Sequence, residues 1–600
     1  MRSPDTRDTV ADEAVTAWTA RFGAALDDAD PDGLAACFAA DGHWKDLLTF
    51  GWDFRTHSGP EEIRAGFAAT LDRTGPRDVR RAADRSAPRL LKRSGRPVVE
   101  AFLDLDTDIG RASVFVRLLL DESDPTASRA WIVLTALQEI RGFEERIGDR
   151  RPTGAARPER VAGENWLDGR LRAQRFEDRD PQVLIVGGGH AGLSIAARLQ
   201  QMGVDALIVE RNARLGDNWR HRYHSLTLHN EVWANSLPYL PFPPTWPTFL
   251  PKDKLAGWLE AYAEFMELNV WTDTEFVHAA FDETTGHWTA RVRTGDRPER
   301  VLRVPHVVLA TGSVSGLPRV PDMPGLDSFG GEVLHSSRFA GGAPHAGKRA
   351  VVVGTGNSGH DVAQDLHRHG ADVNLVQRSP TCVISLQPSG TMVYALYSEG
   401  PPIEDVDLIT AAIPYPLLTS SYQWLTRKTC ELDRDLLDGL HAAGFETDFE
   451  PDQTGFHMRY LRTGGGYYIN VGCSDLIARR EIGLVQARDI DRFTHGGLRL
   501  ADGTEIPCEL VVLATGYENQ QEGVRRLLGD DVADRVGRIW GFDDDHSMRN
   551  MWRRTPQQGL WIMGGAMNES RLYSRFLALQ IRADLAGLLP PLRHDAPGRT

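Results

Sequence analysis

Cysteine is scarce in this chain. Five occur among 600 residues, at Cys37, Cys382, Cys430, Cys473 and Cys508. No two of them are separated by only two residues, so the sequence lacks the Cys-x-x-Cys pair that marks a zinc ribbon or a redox-active dithiol. The cysteine pattern therefore excludes a dithiol-based disulfide reductase, and we expect no metal site.

Long apolar runs and an excess of positive charge are also missing. No stretch approaches the roughly 20 apolar residues that a membrane helix needs, and residues 1–10 lack the apolar core of a signal peptide. The formal net charge of −15 argues against general affinity for nucleic acid. A chain of 600 residues exceeds what one hydrophobic core can organise. We therefore expect a cytoplasmic, multidomain protein with no membrane or nucleic-acid partner.

Two glycine-rich loops with the same spacing are the most informative feature that is present. Each follows an apolar, strand-like run and opens a helix-like segment, at residues 186–192 and 353–359. In such loops the first glycine permits a tight turn, the second lets a pyrophosphate approach, and the third allows close packing of helix on strand. The predicted cofactor contacts in the two loops are Gly187, Gly189, Gly192, Gly354, Gly356, Asn357, Ser358 and Gly359.

The strands that follow the two loops end in different residue types, an acid after the first loop and a neutral residue followed by an arginine after the second. Glu210 and Gln377 stand at the same distance after the first glycine of their loops, and Arg378 follows Gln377. An acid here can accept hydrogen bonds from a ribose 2′-hydroxyl, whereas an arginine suits a 2′-phosphate. We therefore expect FAD on the first loop, beside Glu210 and Arg211, and NADPH on the second, with Arg378 on its phosphate. Use of NADH as well is left open.

An internal sequence repeat indicates that the chain contains two domains with the same order of strands and helices. Segments 288–304 and 498–507 are hairpin-like, and each leads to an apolar strand ending in Ala-Thr-Gly. The threonine–glycine turns of these strands are further predicted cofactor contacts, at Thr311, Gly312, Thr515 and Gly516. The predicted fold is α/β, with two Rossmann-like domains. The expected division is an FAD domain at 181–325 and 500–600, with an NADPH domain at 326–499 that carries a helical insertion over the crevice between the cofactors.

The first 147 residues follow another pattern, in which helical spacing gives way to strand-like alternation. With the motif Asp41-Gly-His-Trp-Lys-Asp46, this stretch resembles the NTF2-like (SnoaL-like) α+β family. The resemblance implies a cone filled by Trp44, with His43 and Asp46 at its rim, that caps the flavin site or mediates a homodimer. We expect residues 148–180 to be a linker with a short helix anchored by Trp166 and Leu167.

Residues 329–339 read Phe-Gly-Gly-Glu-Val-Leu-His-Ser-Ser-Arg-Phe. This run resembles the fingerprint of class B flavin-dependent monooxygenases, Phe-x-Gly-x-x-x-His followed by an aromatic residue. Baeyer–Villiger enzymes usually end the fingerprint in Trp, so Phe339 is similar to the flavin-containing branch. The resemblance covers about residues 170–600 and implies that His335 couples the domains rather than performing chemistry.

The stretch after the first loop resembles the family's Gly-x-x-Trp segment, which implies that Trp219 and Arg220 line FAD. His229 falls where flavin-containing monooxygenases commonly carry Asn, and this exchange is similar to the type II subgroup, which also has an NTF2-like extension. The resemblance implies that His229, an imidazole titrating near neutrality, holds a C4a-(hydro)peroxyflavin. Asn230 is the adjacent catalytic candidate. A histidine that merely packs under the flavin is the alternative.

The resemblance thus implies an FAD- and NADPH-dependent monooxygenase that inserts one oxygen atom from O₂ into a small organic substrate. Baeyer–Villiger oxidation of a ketone and oxygenation of sulfur or nitrogen both stay open. The residues also leave open a two-nucleotide NAD(P)H oxidase or reductase without oxygen transfer, and a ligand-binding protein with a vestigial flavin fold.

Overall fold

The computed structural model describes residues 4–153, 163–312 and 316–591. The amino-terminal unit is a curved sheet that closes on a helical arm. It consists of α1 (Pro4–Asp27), α2 (Pro31–Ala36), α3 (Gly59–Ala68), α4 (Leu71–Thr74), β1 (Phe38–Leu47), β2 (Phe54–Ser58), β3 (Arg77–Arg81), β4 (Arg89–Arg93), β5 (Arg96–Asp106), β6 (Gly110–Leu119) and β7 (Arg129–Ile140). The strands pair in the order β2-β1-β7-β6-β5-β3, and β4 also pairs with β5. This is the predicted α+β cone.

Trp44 fills the interior of the cone, as predicted. Its ring stacks on Phe67 with centroids 3.9 Å apart, and its indole N–H donates to Thr135 Oγ1 at 2.9 Å. The prediction for Asp46 was wrong, because this carboxyl is buried beside the indole rather than at the rim. It accepts hydrogen bonds from Thr135 Oγ1 at 2.6 Å and Phe50 N at 3.0 Å. Packing of large side chains therefore occupies the space in which an acid–base pocket would lie.

The linker contains the expected short helix, α5 (Trp166–Arg175). Trp166 and Leu167 are about half exposed, at 51% and 50%, and the Trp166 indole N–H donates to Glu267 Oε1 at 3.2 Å. The helix is also held through Gln174, whose side-chain amide donates to Val270 O at 2.7 Å and whose backbone carbonyl accepts the Trp271 indole N–H at 2.8 Å. Residues 154–162 of the predicted linker lie outside the described residues.

The first dinucleotide unit is built on a parallel sheet. It consists of β8 (Val183–Val186), α6 (His190–Gln201), β9 (Ala206–Val209), α7 (Asp217–Arg220), β10 (Thr227–Glu231), β11 (Phe249–Pro251), α8 (Lys252–Phe265), β12 (Val270–Trp271), β13 (Thr274–Asp282), β14 (His287–Thr294), β15 (Arg300–Val304), β16 (His306–Leu309), β27 (Leu560–Ile562) and α17 (Met567–Leu585). The strand order is β12-β9-β8-β16-β27, and β13-β14-β15 form an antiparallel meander.

The second unit repeats this plan and carries the predicted helical insertion. It consists of β17 (Glu332–His335), β18 (Arg349–Val353), α9 (Asn357–Arg368), β19 (Asp372–Gln377), β20 (Cys382–Ser385), α10 (Ile403–Ala411), α11 (Tyr415–Leu432), α12 (Arg434–Ala442), α13 (Gly455–Thr463), β21 (Tyr467–Asn470), α14 (Cys473–Ala478), β22 (Gly483–Gln486), β23 (Ile490–Thr494), β24 (Gly497–Leu500), β25 (Glu505–Pro507) and β26 (Leu510–Leu513). Its parallel sheet has the order β17-β26-β18-β19-β22. Helices α15 (Gln520–Leu528) and α16 (Asp530–Val536) follow on the way back to the first unit.

The expected domain boundary at residue 500 does not match the sheets. Strand β26 pairs with β17 and β18, so it belongs to the second unit, and the chain returns to the first unit only after Gly516. Each unit contains its own strand ending in Ala-Thr-Gly, so the strand that leads to Thr515 and Gly516 belongs to the second unit and not to the first. The units differ in their fifth strand, which is β27 from late in the chain in the first and β17 from before the loop in the second.

The α/β architecture with two Rossmann-like sheets is therefore as predicted. Within the described ranges, no helix is both long and apolar enough to cross a membrane. The same part of the chain contains no group of three or more His, Cys, Asp or Glu side chains arranged to hold a metal ion.

Candidate functional site

The first glycine loop forms an open cradle of backbone. Gly187 has φ +110°, and a Cβ there would lie 2.6 Å from Ala310 O. A Cβ on Gly192 would lie 2.0 Å from Gly187 O, whereas one on Gly189 would meet only Asn218 Nδ2, at 3.5 Å. Helix α6 begins without a side-chain cap, which leaves its first N–H groups available. Close packing on one side and free donors on the other fit a pyrophosphate.

Polar atoms around this cradle also await a partner. Trp219 Nε1, His190 Nδ1 and Asn568 Oδ1 are buried and have no hydrogen-bond partner among the described residues. Buried polar atoms in folded proteins are normally paired, so these three fit a site that a polar cofactor completes. Trp219 Nε1 is a donor and the other two atoms are acceptors, so the set fits FAD, which carries groups of both kinds. Arg220 is engaged elsewhere, since its guanidinium donates to Asp217 at 2.8 Å and Glu260 at 3.0 Å, and its contact with FAD stays a prediction.

Glu210 is fixed at the end of β9. One carboxylate oxygen accepts Gly188 N at 2.7 Å, and the other accepts the Asn212 backbone and side-chain N–H groups at 2.9 and 2.7 Å. The carboxylate therefore faces the loop with its orientation set before any ligand binds. The neighbouring Arg211 is exposed. Ribose binding by Glu210 and Arg211 stays a prediction.

The second loop has the same construction. Gly354 has φ +115°, and a Cβ there would lie 2.4 Å from Ala514 O. A Cβ on Gly359 would lie 1.9 Å from Gly354 O, whereas one on Gly356 would have no neighbour closer than 3.8 Å. Asn357 Oδ1 accepts Ile469 N at 3.0 Å, which ties this loop to the insertion. Ser358 follows at the uncapped start of α9. This cradle also fits a pyrophosphate.

The end of β19 presents a cation and no acid. Gln377 is buried, and its side chain exchanges hydrogen bonds with the backbone of Glu446 at 2.8 and 2.9 Å. Arg378 is exposed at the strand end, and no ion pair holds it within the described chain, whereas exposed Arg488 pairs with Glu446 at 2.8 Å. A free guanidinium beside a pyrophosphate cradle fits the 2′-phosphate of NADPH.

The two segments that cross between the units are bonded to each other. Arg319 N donates to Gly516 O at 2.9 Å, and Thr515 Oγ1 donates to Arg319 O at 2.5 Å. His335 Nε2 also donates to Gly516 O, at 3.1 Å. The fingerprint histidine therefore fastens the end of β17 to the crossover, in keeping with its predicted coupling role. The other predicted turn, at Thr311 and Gly312, precedes residues 313–315, which are outside the described ranges.

His229 and Asn230 lie half-buried on β10, which packs against the 3₁₀ segment 390–398 of the insertion. Burial lowers the pKa of His229 to about 4. The expectation that this imidazole titrates near neutrality was therefore wrong, because the desolvated cation is disfavoured and the ring is neutral at pH 7. A neutral ring still has one N–H to donate.

The first loop is joined to the turn before α17, and sequence reasoning did not identify the side chain that makes this contact. His190 Nε2 donates to Gly565 O at 2.9 Å, and burial lowers the pKa of this imidazole. The turn at Gly565 leads into Glu569, the third residue of α17, whose carboxyl accepts Ala566 N at 2.7 Å. The glycine pair Gly564-Gly565 before a helix was the available signal, but it does not reveal which side chain meets the loop.

The amino-terminal unit holds the insertion in place. Asp405 of α10 is buried and accepts Arg85 Nη1 at 2.9 Å and Ser86 N at 2.8 Å. Arg93 donates to both carboxylate oxygens of Glu399 at 2.6 Å. These contacts, which we call the clamp (Arg85, Ser86 and Arg93 with Glu399 and Asp405), connect the cone to the segment that borders β10.

Helix α10 is tied in turn to α17. Asp407 accepts Arg571 at 2.6 and 2.8 Å, and the same guanidinium donates to Ala234 O at 3.0 Å and Ser236 O at 2.8 Å. The cone, the insertion and the first unit are thereby joined around the end of β10.

Comparison with known proteins connects these units to two families. A SnoaL-like domain matches residues 7–140, and a pyridine nucleotide-disulphide oxidoreductase domain matches residues 184–392. The chain is 34% identical over 369 residues to indole-3-pyruvate monooxygenase YUCCA1 of Oryza sativa subsp. japonica, covering 61% of this chain and 83% of that protein. It is 30% identical over 344 residues to probable indole-3-pyruvate monooxygenase YUCCA4 of Arabidopsis thaliana, covering 56% and 76%.

Among solved structures, a flavin-containing monooxygenase from Stenotrophomonas maltophilia aligns with a TM-score of 0.47 at 18% identity, covering 68% of this chain and 99% of that one. The match to the rice protein covers 83% of that relative. The chain therefore belongs to the class B flavin-dependent monooxygenases, which use FAD and NADPH, and it carries a SnoaL-like domain at its amino terminus.

Proposed function

We propose that this protein oxidises NADPH and transfers one oxygen atom from O₂ to a small organic substrate. The observation that carries the proposal is the pair of matching cradles, one facing a fixed acid at Glu210 and the other a free Arg378. Two dinucleotides of different type can thus bind to one chain of the monooxygenase family. The sequence contains no Cys-x-x-Cys pair, which disfavours the dithiol chemistry of disulfide reductases.

When bound, NADPH supplies hydride and FAD supplies the activation of O₂. The residues of this chain bind and orient those groups. Backbone donors of the loops hold the pyrophosphates, Glu210 selects an unphosphorylated ribose, and Arg378 selects a phosphorylated one. Segment 390–398 packs against β10, and α10, which the clamp holds, packs against that segment, so together they limit the access of water to the site.

For His229 we propose the role of a neutral hydrogen-bond donor beside the flavin. The low pKa supports this, because a ring that stays neutral keeps one N–H and one acceptor nitrogen across the physiological range. Asn230 is the adjacent candidate. Its backbone carbonyl accepts Asn235 Nδ2 at 3.2 Å, so the turn that presents both residues is braced from within.

The decisive experiment is aerobic turnover with NADPH against a panel of ketones, sulfides, amines and indoles. NADPH, O₂ and H₂O₂ are quantified and products are identified by mass. We expect at least one substrate to gain a single oxygen atom at the expense of H₂O₂. Release of H₂O₂ equal to the NADPH consumed, with every substrate unchanged, would establish an NAD(P)H oxidase instead. Lactone or ester formation would identify Baeyer–Villiger chemistry, and sulfoxides or N-oxides would identify heteroatom oxygenation.

A homodimer and a cytoplasmic location are further proposals, and both rest on the sequence. The NTF2-like fold of residues 7–140 supports the dimer. Light scattering of the eluting peak in size-exclusion chromatography tests it, and a mass near 66.5 kDa would contradict it.

A further inference from the structure

The loop between α7 and β10, residues 221–226, belongs to the first unit but is anchored in the second. The Tyr223 side chain is 3% exposed and belongs to the hydrophobic core of the second unit. Its hydroxyl donates to the carboxylate of Asp361 on α9. Beside it, His224 N donates to Ala340 O at 2.9 Å. The second unit therefore fixes the position of a loop whose chain leads on to the flavin side of the molecule.

Arg222, next to Tyr223, carries a cation without a counter-charge. Its side chain is half-buried, and its guanidinium lies 5.7 Å from the centre of the Tyr223 ring. It has no hydrogen bond or ion pair to any residue in the described ranges. Arg214 and Arg220, which precede it in the same segment, both donate to Glu260, at 2.8 and 3.0 Å. A free guanidinium that is partly withdrawn from water favours the binding of an anion.

The anchoring of Tyr223 brings Arg222 toward the second cradle. Asp361, which accepts the tyrosine hydroxyl, stands one helical turn after Asn357. Asn357 is the first residue of α9 and part of the second glycine loop, where backbone N–H groups are available to a pyrophosphate. The guanidinium therefore lies toward the amino end of α9, which is the end at which the nucleotide phosphates bind.

The strand order assigns Arg222 to the nicotinamide half of the nucleotide. Strands β26 and β17 lie on one side of β18, and β19 lies on the other. With Arg378 on the 2′-phosphate, the adenosine lies beyond β19, so the rest of the dinucleotide extends across β18 toward β26. His335, at the end of β17, and Tyr517, just after β26, have ring centres 5.4 Å apart. Burial raises the pKa of Tyr517, and the charge of the nearby Arg222 opposes that rise.

We propose that Arg222 binds the pyrophosphate of NADPH and NADP⁺ from the side of the first unit, opposite the backbone donors of the second loop. A guanidinium forms charge-assisted, bidentate hydrogen bonds with phosphate oxygens. This contact does not involve the 2′-phosphate, so it serves NADH equally and complements Arg378, which selects between the two nucleotides. The inference rests on the proposed function, because it concerns the nucleotide that this function consumes.

Two other roles for Arg222 make different predictions. Loss of a residue that binds FAD would lower the flavin content and leave the affinity for nicotinamide nucleotides unchanged. A purely structural residue would act through the anchored Tyr223, so removing the hydroxyl that reaches Asp361 would have the same effect as removing the guanidinium. Nucleotide binding by the oxidised, FAD-loaded protein separates these roles without relying on turnover.

The test is calorimetric titration of that holoprotein with three probes: NADP⁺, NAD⁺ and adenosine 2′-monophosphate, which has the 2′-phosphate but no pyrophosphate. Arg222→Gln should weaken NADP⁺ and NAD⁺ by a similar factor of about ten, as the loss of a charged hydrogen bond implies. The affinity for the 2′-monophosphate should change less than about twofold. Arg378→Ala should instead weaken NADP⁺ and the 2′-monophosphate and leave NAD⁺ unchanged.

Three further variants control for charge and structure. Arg222→Lys keeps a cation but loses the bidentate fork, so its affinity for NADP⁺ should lie between those of the natural protein and Arg222→Gln. Tyr223→Phe keeps the guanidinium and should bind NADP⁺ within about twofold of the natural protein. Arg368→Gln is the matched charge control, because it removes one positive charge from the last turn of α9, at the end far from the cradle.

Unchanged affinity for NADP⁺ in Arg222→Gln would overturn the inference. An equal loss in Tyr223→Phe or in Arg368→Gln would also overturn it, because the effect would then be structural or a matter of overall charge. Loss of FAD from Arg222→Gln with NADP⁺ affinity retained would assign the residue to the first cradle instead.

Failure of the proposed function is read on the natural protein. The visible spectrum reports FAD, and anaerobic addition of NADPH reports flavin reduction. A colourless or irreducible protein would overturn the proposed function and this inference with it. A yellow, reducible protein whose affinity for NADP⁺ is the same in Arg222→Gln would overturn the inference alone.

Discussion

At the scale of residues, the proposal assigns a cofactor to each loop from a single side chain at the end of the following strand. Glu210 is held by three hydrogen bonds, so its acceptor atoms are oriented in advance. Arg378 is free of partners in the described chain, so a phosphate does not have to displace an existing ion pair. The contrast between an acid and an arginine at these positions could be predicted from the sequence, because each residue lies a set distance beyond its loop.

Arg378→Ala should raise KM for NADPH about tenfold or more, because a charge-assisted hydrogen bond to phosphate is lost. KM for NADH, which lacks that phosphate, should change less than about twofold. Steady-state kinetics with both nucleotides measures this. Arg488→Ala is the control, since Arg488 is exposed nearby but paired with Glu446. Equal effects on both nucleotides would remove the role in phosphate recognition.

His229→Ala should increase the share of NADPH electrons that appear as H₂O₂, because a donor beside the flavin is lost. His229→Asn keeps a hydrogen-bond donor, so its share of electrons that appear as H₂O₂ should lie between those of the natural protein and His229→Ala. Since the pKa of His229 is about 4, the coupling ratio of the natural protein should show no histidine-like step between about pH 6 and about pH 8. Peroxide assays across that range measure it. A step near pH 6.5 that vanishes in His229→Ala would contradict the proposed neutral ring.

At the scale of elements, the insertion is positioned from outside its own unit. Helix α10 meets the cone through Asp405 and α17 through Asp407. The sequence predicted an insertion over the crevice because residues 385–470 depart from the βαβ pattern. It could not predict the clamp, since Arg85 and Asp405 are brought together only by tertiary packing. The sequence also could not assign β26 to the second unit, because that assignment depends on which strands it pairs with.

Asp405→Asn should destabilise the clamp by about 3 kcal/mol, because it leaves the guanidinium of Arg85 without its buried counter-charge. We expect faster proteolysis within 390–411 and a raised KM for the organic substrate, with FAD content unchanged. Limited proteolysis followed by mass spectrometry locates the cuts. Glu404→Gln on the same helix, outside the clamp, is the control. Cleavage at the natural rate would show that the cone does not hold the insertion.

At the scale of the whole molecule, buried ionisable groups join units that are distant in sequence. Glu145, just after the cone, accepts Arg198 of α6 at 3.1 Å and Tyr239 Oη at 2.6 Å. Although burial acts in the opposite direction, the guanidinium of Arg575 at 3.7 Å and these two contacts lower the pKa of Glu145 to about 2. The sequence indicated two cofactor loops and a separate first unit, because those signals are local. It could not show that Glu145 and Asp46 are buried, since burial depends on what folds over them.

The protein should lose stability as pH falls below about 6.5, and the raised pKa values of Asp46, about 7, and Asp361, about 6, offset part of that loss. Burial lowers the pKa of His306 to about 3 and that of His360 to about 4, so the unfolded chain binds these protons first. Each fully buried histidine contributes at most about 1.4 kcal/mol per pH unit in that window and nothing above it. Urea unfolding at a series of pH values measures the slope. A flat profile down to about pH 5 would contradict these burial effects.

The positions of the fifth strands in the chain determine when each parallel sheet can be completed during synthesis. Strand β17 precedes the second loop, so every strand of the second sheet has been synthesised once β26 is made. The first sheet lacks β27 until residue 562, and until then the edge of β16 has no partner on that side. The nascent chain must therefore carry an unfinished sheet through the making of the entire second unit. During that interval the exposed edge is open to capture by another strand, and chaperone binding there would protect the growing chain.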